Sequence, residues 1–154
     1  MMKVWRLVAP KFADSALDGI GASQWGGRWN FEGTRMVYLA ESLSLAAMEL
    51  LVHMDISQAP GEMSAIQVEI PDDLLRKEFK VSQLPPDWGN IPGPEALKEI
   101  GTKWAKTGKE AILLVPSAVI PQERLVLINP EHPDAKRITH RAPVAFHYDP
   151  RLRP

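Results

Sequence analysis

The 14 prolines of this 154-residue chain are roughly twice the usual share, and where they fall constrains the fold. They lie mainly between apolar segments, at Pro85-Pro86, Pro92, Pro94, Pro116 and Pro121. Proline fixes φ and removes a backbone donor, so it suits rigid connections and strand edges and is unwelcome inside a sheet or helix. The chain is therefore expected to build its core from short strands and a few helices.

Lys3 to Val8 reads as a first strand, and residues 9 to 24, with Pro10, Gly19 and Gly21, as largely loop. Arg35 to Ala40 predicts a buried strand holding Tyr38. Leu45 to Met54 predicts a helix capped by Ser42 or Ser44. From Ser64 to Ile70 apolar and polar residues alternate, with Ile66, Val68 and Ile70 on one side, the pattern of a half-buried strand. A short strand is expected at Phe79 to Ser82. Pro94 opens a helix in which Leu97, Ile100 and Trp104 share a face, and Gly108 ends it. Ala111 to Val115, Leu125 to Ile128 and Pro143 to Tyr148 supply the remaining strands. Strands outnumber helices and do not alternate with them, which predicts a compact α+β single domain over residues 1–154 rather than a doubly wound parallel sheet.

Charge and composition narrow the function. Lys+Arg (18) and Asp+Glu (19) nearly cancel and are interspersed, leaving no basic stripe to neutralise a nucleic-acid backbone. The chain has no cysteine, so disulfides, thiolate metal sites and cysteine nucleophiles are excluded together. The four histidines, His53, His132, His140 and His147, are not at metal-ligand spacing, and no metal is expected. No segment approaches a signal peptide or a membrane span, and the expected location is cytoplasmic.

Several residues stand out as carriers of chemistry. Arg28 follows Gly26-Gly27, where the backbone can approach a ligand closely, and a guanidinium grips phosphate through two donors. The alternative is a pair with a surface acid. Tyr38 is either a core residue with a satisfied hydroxyl or a ring that stacks on a flat ligand. Glu49 is an acid on an otherwise apolar helix face, flanked by Leu45, Ala46 and Val52; such a carboxylate has either an arginine partner or a purpose. Ser117, after a strand and Pro116, lacks a Gly-x-Ser-x-Gly elbow and reads as a turn residue. Trp25 and Trp29, beside Arg28, are core anchors or stacking surfaces.

Taken together, Trp5-Arg6, Leu17-Asp18-Gly19-x-Gly21-Ala22, Gly26-Gly27-Arg28-Trp29-Asn30, Val37-Tyr38-Leu39-Ala40-Glu41-Ser42, Ala47-Met48-Glu49-Leu50, Leu114-Val115-Pro116-Ser117 and Phe146-His147-Tyr148-Asp149-Pro150-Arg151-Leu152 resemble the RES-domain family, in the same order over nearly the whole chain. The tail departs slightly, with His147-Tyr148 where an aromatic-acid pair is commoner. The resemblance implies a relative of the ADP-ribosyltransferase fold that acts as the toxin of a type II toxin–antitoxin pair. It also implies binding of NAD as substrate and rupture of its nicotinamide–ribose bond. The family's arginine, tyrosine, glutamate and serine fall on Arg28, Tyr38, Glu49 and Ser117, with Trp29 and Asn30 expected beside the ligand. The implied partner is an Xre-like antitoxin that occludes the site and carries any DNA contact; the oligomeric state within such a complex stays open.

These residue types suit that bond. Arg28 can hold the phosphates, Tyr38 can stack on the nicotinamide, Ser117 can fix orientation, and Glu49 can stabilise positive charge on the ribose. Ordinary glycoside hydrolysis needs a second carboxyl to protonate the leaving oxygen, whereas nicotinamide departs neutral from a cation. Water, phosphate or a protein side chain as acceptor would give an NAD glycohydrolase, a phosphorylase or an ADP-ribosyltransferase, and NAD depletion is favoured. Two readings compete. A non-catalytic regulatory subunit would bury an Arg28–Glu49 ion pair, and an RNA-cleaving toxin would want a basic groove.

Overall fold

The computed structural model describes residues 1–54 and 61–152; the remaining residues of the expected 1–154 domain lie outside the described ones. The elements run β1 (Met2–Val8), a 3-10 segment (Pro10–Ser15), α1 (Ile20–Trp25), β2 (Val37–Ala40), α2 (Leu43–Leu51), β3 (Met63–Ile70), β4 (Arg76–Glu78), a 3-10 turn (Val81–Gln83), α3 (Glu95–Thr107), β5 (Ile112–Pro116), β6 (Arg124–Ile128), a second 3-10 segment (Pro133–Arg137), β7 (Thr139–His140) and β8 (Val144–Phe146). All strands join one eight-stranded sheet in the order β4-β5-β6-β2-β1-β3-β7, with β8 also pairing with β3. Every pairing is antiparallel except β4 with β5, whose parallel pairing is connected by the crossover through α3.

Both faces of the sheet are covered, so strand side chains of both parities are buried. Val4, Leu39, Ile66, Val68, Ile112, Leu114 and Val126 form one core with the 3-10 segments. Leu7, Ala65, Leu113, Val115, Leu125 and Leu127 form the other, against α2, α3 and Trp29. The continuous apolar run of β5 follows from this. It also modifies the half-buried reading of β3, because Met63 and Ala65 on its second face are buried too.

The helix signals act as expected. Ser42 caps α2, its hydroxyl accepting the Leu45 amide at 3.1 Å. Pro94 precedes α3, and Gly108 closes it in the left-handed conformation. Two expectations fail. Residues 9–24 are not mostly loop, since a 3-10 segment and α1 are packed there, too short to show periodicity. The strand expected at Phe79 to Ser82 lies earlier, at Arg76–Glu78. Parallel pairing with the β5 edge, not an apolar pattern, makes it a strand, and Val81–Gln83 turns instead. Among the described residues no helix is long and apolar enough to cross a membrane.

Candidate active site

The sheet contains an internal opening. β1 is paired with β3 from Met2 to Val8, and β2 with β6 from Val37 to Ala40. β1 meets β2 at the single rung Trp5–Ala40. A cleft of about 710 Å³ lies where the two diverge, walled by Trp5, Arg6 and Leu7 of β1 and Tyr38, Leu39 and Ala40 of β2. The third wall is α2, which presents Ala46, Glu49 and Leu50, at helical spacings of three and four, with His53 from the turn just after it.

Glu49 is half-buried, and the Ser117 hydroxyl donates to its Oε1 at 2.6 Å. Ser117 is 0% exposed, and its Oγ accepts the amides of Val119 at 3.1 Å and Ile120 at 3.0 Å. The β5–β6 turn therefore orients the serine, and the serine orients the carboxylate. Ser117 stands behind Glu49; its neighbour Ala118 reaches the cleft wall. This is a positioning arrangement, and ligand contact by the serine itself is not part of it.

Tyr38 lines the cleft, while its hydroxyl donates to Asn30 Oδ1 at 2.6 Å and accepts the Trp29 amide at 3.0 Å. Burial raises its pKa, so the phenol stays neutral. Gly27 is required beside it, because a Cβ there would lie 2.6 Å from the Tyr38 oxygen and 2.8 Å from Asn30 Oδ1. Gly26 adopts φ +74°, which favours glycine.

Arg28 lines the cleft and donates from Nη1 to the carbonyls of Trp88 at 3.0 Å and Asn90 at 3.1 Å. It thereby anchors the Pro- and Gly-rich loop whose Ile91, Pro92 and Gly93 complete the wall. Among the described residues its Nε and Nη2 have no hydrogen-bond partner. Arg28 and Glu49 do not pair; among the described residues each has other partners, so the buried ion pair of the non-catalytic reading is not formed.

Trp29 and Asn30, expected at the ligand, are fully buried and lie outside the cleft wall. Gly101 of α3 packs on the Trp29 carbonyl so closely that a Cβ would overlap it. The Asn30 amide donates to Ala22, Phe31 and Thr34 carbonyls. Both residues hold the loop that presents Gly27 and Arg28. Trp25, the other stacking candidate, is 82% exposed and also outside the wall.

Three cleft residues escaped the sequence reading. Arg6 was expected only as part of a strand and of the Trp5-Arg6 motif, yet it lines the cleft half-buried. Nη1 donates to the Tyr38 carbonyl at 2.8 Å, and Nε has no partner. Burial lowers its pKa, partly offset by Asp18, but no carboxylate reaches it among the ion pairs of the described residues. A partly desolvated cation without a paired carboxylate suits an incoming anion. Lys98, on the α3 turn nearest Gly26, and His53 add basic groups at the wall. A lysine on the polar face of an amphipathic helix carries no sequence signal of this kind. Arg6, inside an apolar strand, was the better clue.

The mixed sheet thus splits over a cleft that holds one carboxylate and several basic side chains. The fold matches, at a TM-score of 0.70 and 18% identity, a chain in the crystal structure of the M. tuberculosis MbcT–MbcA toxin–antitoxin complex, covering 94% of this chain and 84% of that one. The RES domain profile matches residues 3–149, and the chain belongs to the RES domain family. Relatives include the Prs ADP-ribosylating toxin of Sphingobium sp. (strain YBL2), 38% identical over 96% of this chain and 94% of that protein. Another is Toxin Res of Yersinia enterocolitica serotype O:8, 36% identical over 99% of this chain and 100% of that protein.

Proposed function

We propose that the chain is the toxin of a toxin–antitoxin pair and that it breaks the nicotinamide–ribose bond of NAD in the β1–β2 cleft. The observation that carries this reading is the lone carboxylate Glu49, aimed into the cleft by Ser117 and faced by Arg6 and Arg28. NAD offers two phosphates, a flat pyridinium ring and a bond that leaves positive charge on the ribose. Arg28, Arg6 and Lys98 supply cations for the phosphates, and the unpartnered Nε of Arg6 fits that demand. The Tyr38 ring offers a face to the nicotinamide. Glu49 stabilises the charge developing on the ribose, and its fixed orientation avoids reorganisation during the reaction.

Water or inorganic phosphate is the favoured acceptor, which makes the outcome NAD depletion. Transfer to a protein is the second reading, favoured by the name of the Sphingobium relative. An Xre-like antitoxin that covers the cleft, with DNA touched only through it, accords with the near-neutral charge of the chain. A cytoplasmic site of action accords with NAD as substrate. Purified protein incubated with NAD, with and without phosphate, is expected to yield nicotinamide plus ADP-ribose or its phosphate ester, identified by mass. Intact NAD under both conditions rejects the reading, and an ADP-ribose increment on an added protein selects the second.

A further inference from the structure

The C-terminal segment, conspicuous in the sequence from Phe146 to Leu152, contributes nothing to the cleft wall. Its structure gives it another task. β8 pairs with the start of β3 through Phe146–Met63, Ala145–Ser64 and Val144–Ala65. The chain then turns toward α2, where the Tyr148 hydroxyl donates to the Ala47 carbonyl at 2.6 Å. The ring of Phe146 meets that of Tyr148 edge-on at 5.2 Å, which fixes the direction from which the phenol arrives.

Helix α2 needs such a tether. It is nine residues long, and only Leu45 and Ala46 on it are buried, so packing alone leaves its roll about its own axis weakly set. Among the described residues two side chains from distant parts of the chain bond to it: Ser117 at the Glu49 carboxylate and Tyr148 at Ala47. The Tyr148 bond falls on the helix backbone at Ala47 and the Ser117 bond on the side chain of Glu49, so the two hold α2 and its carboxylate at separate points. The Ala47 carbonyl is interior to the helix and has a helical amide available, so the added bond serves to fix α2 rather than to rescue an orphan.

We infer that Tyr148 is a positioning residue, whose hydrogen bond to Ala47 sets the roll of α2 and so the aim of Glu49 into the cleft. For turnover the inference rests on the NAD-cleaving function proposed above. Burial raises the pKa of Tyr148, which keeps the phenol a donor. Its partial burial and its 101-residue separation from Ala47 make this a long-range tertiary lock.

The test is Tyr148→Phe in the full chain, which keeps the ring and deletes the donor. Turnover of NAD is expected to show kcat lower by about ten- to a hundredfold with KM nearly unchanged, since small misplacements of a catalytic group cost that much. In protein carrying carbon-labelled glutamate, the side-chain carboxyl resonance of Glu49, assigned by its loss in Glu49→Gln, is expected to move. An unmoved resonance overturns the inference, as does an unchanged kcat in a background where the wild type consumes NAD. If the wild type leaves NAD intact, the proposed function fails instead, and the Glu49 resonance alone decides the role of Tyr148.

Discussion

Replacing Ser117 with alanine removes a hydroxyl that is wholly enclosed and makes three hydrogen bonds, one donated to Glu49 and two accepted from Val119 and Ile120. The donated bond goes to a carboxylate, and bonds to charged groups contribute about 1.5–3 kcal/mol net. The two amides lose their acceptor, and each would cost about 1–3 kcal/mol if fully buried. Val119 and Ile120 are half-buried, so water recovers part of that cost. The combined loss is about 3 kcal/mol, which at this chain length lowers Tm by roughly 6–12 °C. Calorimetric unfolding measures this, and NAD turnover per folded molecule is expected to fall as Glu49 loses its aim. A Tm shift below about 2 °C refutes the hydrogen-bond accounting. A large Tm shift with unchanged turnover refutes the positioning argument.

Glu49→Gln keeps an oxygen for Ser117 to donate to, so stability is expected to change little, while NAD turnover falls about 10²–10³-fold; near-normal turnover sinks the role. Gly27→Ala forces a Cβ against the Tyr38 hydroxyl, an overpacking expected to cost about 1–3 kcal/mol in urea unfolding and to weaken NAD binding. Stability equal to wild type would contradict it. Arg28→Ala is expected to weaken NAD binding in titration calorimetry and to speed amide exchange in the Trp88–Gly93 loop; unchanged affinity removes the phosphate role. The chain has two tyrosines, and burial raises the pKa of both. The unfolded chain therefore loses these protons first, near pH 10, and the stability tied to the neutral phenols is lost as pH rises above that value. Phenolate absorbance is expected to appear together with unfolding, and an earlier titration in the folded state would contradict the burial.

The sequence displayed what depends on local pattern. α3 followed from Leu97, Ile100, Trp104 and Gly108, and β3 from its alternation. Glu49 was conspicuous because an acid flanked by Leu45, Ala46 and Val52 breaks the apolar pattern of its face. What stayed hidden depends on partners far along the chain. β4, Arg-Lys-Glu, is a strand only because β5 offers an edge. Trp29 and Asn30 look like ligand groups beside Arg28, but Gly101 and the carbonyls of Ala22 and Thr34 claim them. Arg6 reads as a strand residue and becomes a half-buried cleft cation because β1 and β2 separate just past Trp5. The resemblance located Ser117, but its commitment to Val119 and Ile120 comes from the turn geometry.

Synthesis runs from the N-terminus, and the strand order works against it. Arg6, Arg28, Tyr38, Glu49 and Lys98 all precede β5, yet β2 has one rung to β1 and finds its full-length partner only in β6, which ends at Ile128. Pairings between strands so far apart in sequence form slowly and late, since the loop must close before the contacts reward it. The acid is thus translated early and assembled late. A ribosome that stalls before β6 releases a fragment without a formed cleft.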